Sequence, residues 1–145
     1  MARELPKIKD LGAAFRFALE AEQACADLAA EADVLSPDGT WHNKLEEVVC
    51  THDDRVQKLS KSPVVTAGGP AGALDGDRYA ALTVDPAPSW PAVVEQLIAA
   101  QEAAAQYLDD FAAQCGDALG SSAALLKKSA QQNRASAAEL RGLLG

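Results

Sequence analysis

The chain has 145 residues, a formal net charge of −8 and only 5% aromatic residues. This length suits one domain, residues 1–145, with a real core, and its many alanines and leucines favour an all-α fold. A surface this acidic repels phosphate backbones and anionic lipids, so we expect neither nucleic acid nor a membrane surface as a partner.

The first predicted element is a helix over about residues 7–34, which follows a short leader ending at Pro6. Apolar residues recur along it with the spacing of one helix face, namely Ile8, Leu11, Phe15, Ala18, Cys25, Ala29 and Ala32. Glu22 falls on the same face near the middle of the helix. A carboxylate in this position is costly unless another group pairs with it, so we expect partners from other helices.

The second predicted helix covers about residues 40–61, after a turn with Pro and Gly at residues 36–39. Thr40 is the expected cap of this helix. The apolar face consists of Trp41, Leu45, Val48, Val56 and Leu59. His52 lies on that face, and it is the second polar residue predicted to point into the core.

Residues 62–89 form a long predicted crossover in which Gly and Pro interrupt every helical pattern. At roughly 3.3 Å per extended residue, this segment is long enough to return along the whole second helix. Its most apolar part, Arg78–Val84, is expected to pack across a groove between helices. One hypothesis for function is that this groove binds a small apolar ligand.

The third and fourth predicted helices cover about residues 90–117 and 122–143. Ser89 is the expected cap of the third helix, and Pro91 stands near its first position. Gln101 or Glu102 interrupts the apolar face of the third helix, and Asn133 interrupts that of the fourth. The predicted fold is therefore an antiparallel four-helix bundle with one long crossover between helices 2 and 3.

Three segments of this chain resemble the ferritin-like superfamily in its small rubrerythrin type. They are FALEAEQACADLAAEA in helix 1, LEEVVCTHDDRVQKL in helix 2 and LIAAQEAAAQYLDDFAAQ in helix 3. The resemblance implies a ferritin-like bundle and a di-iron centre. Such a centre takes one Glu from each of helices 1 and 3 and a Glu-x-x-His pair from each of helices 2 and 4.

Carried over by position, the resemblance assigns Glu22, His52 and Glu102 as metal ligands. Val49 stands where helix 2 should supply a Glu, and the matching positions of helix 4 hold Ala130 and Asn133. Half of the ligand set is therefore missing, and two irons could not be bridged in the usual way. Two carboxylates and one imidazole could still hold a single iron, manganese or zinc ion.

The leading interpretation of the polar residues is a structural layer without a cofactor. Glu22, His52, Glu102 and Asn133 would hydrogen-bond to one another inside the bundle, and a protonated His52 would satisfy a neighbouring carboxylate. The alternatives are the single-metal site and a shifted register that exposes some of these residues.

For function, we expect a non-catalytic bundle that acts through self-association or through a protein partner. Phe17 and Tyr107 lie off the main apolar faces and are the predicted interface residues. The alternative is a metal-binding oxidoreductase or a metal-storage protein. Three cysteines without a CxxC pair favour free thiols in a reducing compartment. No run resembles a signal peptide or a membrane span, so a cytoplasmic location is expected.

Overall fold

The computed structural model describes residues 5–72 and 74–145, and throughout these residues the fold is all-α, without a β-strand. The long helices are α1 (Leu11–Val34), α2 (Gly39–Ser60), α3 (Ala92–Leu119) and α4 (Ser122–Leu144). Two 3₁₀ segments, Pro63–Thr66 and Gly76–Leu82, lie between α2 and α3. The predicted fold class is thus confirmed at the level of an all-α chain. Residues 1–4 and Ala73, in the predicted leader and crossover, lie outside the described residues.

The starts of α1 and α2 differ from the predicted ones because aspartates supply their caps, whereas α4 starts at Ser122 as predicted. α1 begins at Leu11 because the Asp10 carboxylate accepts a hydrogen bond from the Ala13 amide at 2.7 Å. Asp38, one turn before the apolar face, caps α2 in place of Thr40. In α3 no side chain caps the first turn.

The crossover is anchored to the first turn of α1 by backbone hydrogen bonds. The Leu11 amide donates to the Gly69 carbonyl at 2.9 Å, and the Gly12 amide donates to the Ala67 carbonyl at 2.8 Å. The Arg16 guanidinium adds a bond to the Val65 carbonyl. These carbonyls satisfy amides at the start of α1 that have no partner within the helix.

The second 3₁₀ segment covers an aromatic cluster between α1 and α3. Ring centroids of Phe17 and Tyr107 lie 4.4 Å apart, and Tyr79 stands edge-on to Tyr107 at 5.1 Å. The Tyr107 hydroxyl donates to the Ala14 carbonyl at 2.6 Å. Phe17 is 1% exposed and Tyr107 is fully buried, so the prediction that they form an interface is wrong. The crossover therefore covers the sides of α1 and α3 that carry Phe17 and Tyr107, which helix periodicity alone did not assign to the core.

The helices share one core, and their pairs pack to different extents. α1 packs extensively against α2 and α3, and α3 packs extensively against α4. α2 and α4 approach each other over a much shorter stretch, which leaves a seam between them. In the described part of the chain, no helix is both long enough and apolar enough to cross a bilayer.

Candidate functional site

A buried polar network lies in the middle of the helical core and receives side chains from all four long helices. α1 supplies Glu22, α2 supplies His52 and Arg55, α3 supplies Gln101, and α4 supplies Asn133. None of these five residues is more than 5% exposed. Each therefore depends on the others for the hydrogen bonds that water would otherwise supply.

Glu22 is the acceptor at the centre of the network. One carboxylate oxygen lies 2.5 Å from His52 Nδ1 and 3.0 Å from Arg55 Nε, and the other accepts from Asn133 Nδ2 at 2.7 Å. Burial by itself raises the pKa of the Glu22 carboxyl. The hydrogen bond and the charge interaction with His52, together with Arg55 and Asn133, outweigh burial, so the pKa lies below its ordinary value. Glu22 is consequently a buried carboxylate.

His52 is held at both ring nitrogens. Nδ1 donates to Glu22, while Nε2 lies 2.9 Å from the Gln101 side-chain nitrogen, which can only donate. The Nδ1 proton makes the bond to Glu22, and the role of Nε2 follows the orientation of the Gln101 amide. Arg55 Nη2 also lies 2.9 Å from Nδ1, but because Nδ1 donates to Glu22, this is a contact between two donors and not a hydrogen bond. The ring is therefore fixed in orientation by α1, α2 and α3 together.

Gln101 connects the network to α4 and leaves one atom without a hydrogen bond. Its Nε2 donates to Ser136 Oγ at 2.9 Å as well as to His52. Its Oε1 is buried and has no partner among the described protein groups. Because oxygen and nitrogen of an amide are assigned from their partners, a rotated amide would instead offer Oε1 to His52 and Ser136.

The predicted ligand set of Glu22, His52 and Glu102 is not brought together. Glu102 is exposed and forms an ion pair with Arg141, with bonds of 2.8 and 3.2 Å. Successive helix residues are rotated by about 100°, so Gln101 and Glu102 cannot both face the core. The inward position of α3 belongs to Gln101, and the prediction that placed Glu102 in the polar layer is wrong.

The remaining residues do not fit the di-iron centre that the resemblance implies. Both oxygens of Glu22 are engaged, and a guanidinium cation stands 3.0 Å from one of them. That cation would repel a metal ion placed at the same carboxylate. Val49 and Ala130 offer no ligand atom, and the amide of Asn133 is already bonded to Glu22.

Arg55 is the member of the buried network that the sequence analysis missed. It follows His52 by three residues and Val48 by seven, which is the spacing of the inward face. The prediction gave that position to Val56, which is only partly buried. The signal was the spacing itself, because residues three apart on a helix lie on the same face.

A second titratable cluster lies on the surface near the turn between α1 and α2. His42 Nδ1 lies 2.7 Å from Asp33 and Nε2 lies 3.4 Å from Glu46. The hydrogen bond with Asp33 and the nearby carboxylates raise the pKa of the His42 imidazole. Among the described residues, only these three have His, Cys, Asp or Glu ligand atoms grouped closely enough to hold a metal ion.

Comparison with known proteins assigns no family to this chain. No protein-family model, curated protein or solved structure shows a significant match to this chain.

Proposed function

We propose that this chain is a ferritin-like antiparallel four-helix bundle that works without metal redox chemistry, by association with a second copy or with a protein partner. Four long helices and a single long connection between α2 and α3 support this topology. The ferritin-like arrangement is one of the few bundle forms with one crossover.

The observation that carries the proposal is the position of Arg55. Its guanidinium bonds to Glu22 and Asn133 and lies 2.9 Å from His52, in the middle of the core. In a di-iron bundle, metal cations neutralise the inward carboxylates. Here the guanidinium of Arg55 neutralises Glu22, the carboxylate of the buried network. This supports a structural role for the polar layer.

Association would use a smaller apolar surface than the sequence suggested. Phe17 and Tyr107 are buried, and the large apolar side chains that remain exposed in the described chain are Val34, Leu35, Val84 and Leu143. Val34 is 82% exposed at the end of α1, so it is the first residue to change in a test of association. Cys50 and Cys115 form no disulfide, which suits the cytoplasmic setting that we propose for such a protein.

Sedimentation equilibrium over a wide range of protein concentration tests self-association, and cross-linking in the native extract tests for a protein partner. We expect a mass that rises with concentration or a specific cross-linked partner, either of them weakened by Val34→Asp. Lys127→Asp, at an exposed position on α4, is the control for added negative charge. A chain that remains monomeric throughout and yields no cross-linked partner contradicts the proposal.

The competing function is a metal-dependent oxidoreductase or metal store, and the Glu22–His52 contact favours it. Elemental analysis after expression with iron, manganese and zinc distinguishes the two. A stoichiometric metal that is lost in Glu22→Ala would favour the competing function. Absence of metal in a chain with a normal helical spectrum would favour association.

A further inference from the structure

The seam between α2 and α4 contains two adjacent pockets that share lining residues. The larger has a volume of about 200 Å³ and the smaller about 40 Å³. Arg55 and Gln132 line both pockets. Arg55 therefore contacts the Glu22 carboxylate on its inner side and lines the seam between α2 and α4 on its outer side.

The guanidinium of Arg55 has more donors than the network uses. Of its five N–H groups, Nε donates to Glu22, one on Nη1 donates to Gln132, and one on Nη2 donates to Asn133. One N–H on Nη1 has no acceptor among the described residues. Nη1 is the nitrogen beside Gln132, so the unused donor belongs to the seam side.

The smaller pocket collects positive charge in an acidic protein. Besides Arg55, it is lined by Lys58 and Lys128, and no carboxylate lines it. In the described chain, neither lysine forms an ion pair, whereas Lys44 in the larger pocket is held by Glu47 and Glu139. The rest of this pocket is Leu125, Ser129 and Gln132.

We propose that this smaller pocket binds a small phosphate-type oxyanion. A buried arginine with a spare N–H and two unpaired lysines are the groups that recognise a tetrahedral anion. Glu22 and Asn133 already fix the guanidinium, so binding does not have to order it. The volume admits one anionic group and no large organic body. This inference does not depend on the association proposed above.

The test is a titration of ¹⁵N-labelled protein with inorganic phosphate, followed by NMR at constant ionic strength. We expect saturable shifts of the Arg55 Nε–H, the Gln132 side-chain amide and the Ser129 backbone amide. Sulfate should compete, and sodium chloride should not reproduce the shifts.

Lysine variants keep the test independent of the stability of the core. Lys58→Ala and Lys128→Ala should each weaken phosphate binding by about three- to tenfold, as expected for loss of one partly exposed charge contact. Lys127→Ala is the matched control, because it removes the same charge from the neighbouring position outside the pocket. It should leave the affinity within about twofold of the original.

Two results would overturn the inference. The first is the absence of saturable shifts in the unmodified protein. The second is an equal loss of affinity in Lys127→Ala and Lys128→Ala, which would show a diffuse ionic effect rather than a pocket.

Discussion

At the scale of single residues, the ion pair between Glu22 and Arg55 determines how substitutions in the buried network change the free energy of unfolding. A buried pair of this kind is not a large source of stability, because desolvation offsets the attraction between the charges. Removal of one partner is different, since it leaves the other charged and buried. The network is therefore sensitive to single changes and tolerant of matched double changes.

Arg55→Met should lower the free energy of unfolding by about 3–5 kcal/mol, because Glu22 would lose its buried cation. Urea denaturation followed by circular dichroism measures this. The double variant Glu22→Met with Arg55→Met should recover much of the loss. Arg134→Ala, which breaks an exposed pair with Asp109, is the control and should cost less than about 1 kcal/mol. An Arg55→Met protein as stable as the original would contradict the role given to Arg55.

Acid should destabilise the protein through Glu22. Its pKa in the folded chain lies below the ordinary 4.5, so it contributes stability above that value and loses it as the pH falls through the folded pKa. Unfolding free energies measured from neutral to acidic pH should fall more steeply in the original protein than in Glu22→Gln. Glu102→Gln, on the surface, should keep the original slope. Identical slopes in all three proteins would show that Glu22 is not responsible.

At the scale of elements, the crossover behaves as part of the core and not as a flexible insertion. It bonds to the first turn of α1, and its Tyr79 completes the aromatic cluster with Phe17 and Tyr107. The close approach at Gly12 shows how tight this contact is. A Cβ at that position would lie 2.7 Å from the Ala67 carbonyl oxygen and 3.1 Å from that of Val65.

Gly12→Ala should destabilise the protein by about 1–3 kcal/mol, because backbone atoms of the crossover would have to move. Gly116→Ala is the matched control. It lies inside α3, where an added Cβ meets no atom within 4 Å, and it should stabilise the helix by about 0.4–1 kcal/mol. Thermal unfolding of both variants measures the contrast, and hydrogen exchange should rise at the backbone amides of residues 11 and 12 in the Gly12→Ala protein. Equal midpoints for the two variants would disprove a tight contact.

Phe17→Ala distinguishes a core residue from an interface residue. Because the ring is buried against Tyr79 and Tyr107, its removal should cost about 3–5 kcal/mol of unfolding free energy. Urea denaturation measures the loss, with Val84→Ala as an exposed apolar control. Unchanged stability combined with weaker association would restore the prediction made from sequence.

The sequence predicted the parts of the fold that depend on local pattern. Periodicity located the four long helices, and it placed Glu22, His52 and Asn133 on inward faces. It could not choose between Gln101 and Glu102, because either residue fits the apolar periodicity of α3. The rotation of α3 about its own axis decides which of the two faces the core. Periodicity also could not place Phe17, whose burial depends on a segment about sixty residues later in the chain.

At the scale of the whole molecule, the proposed function predicts a protein whose stability does not depend on metal. Under this proposal the cation beside Glu22 is the Arg55 guanidinium, and a chelator would have no metal ion to remove there. We expect the thermal unfolding midpoint to be the same with and without EDTA. A midpoint that falls with EDTA and returns with iron, manganese or zinc would contradict this and support the competing function.

The bonds between α1 and the crossover also bear on the order in which the chain can be completed. The amides of Leu11 and Gly12 receive their acceptors from Gly69 and Ala67. A nascent chain that ends before residue 67 therefore contains all of α1 and α2 but lacks both acceptors. On a ribosome, these two amides can reach their carbonyl acceptors only after the crossover has left the exit tunnel, so the first turn of α1 is completed later than the pairing of α1 with α2 can begin.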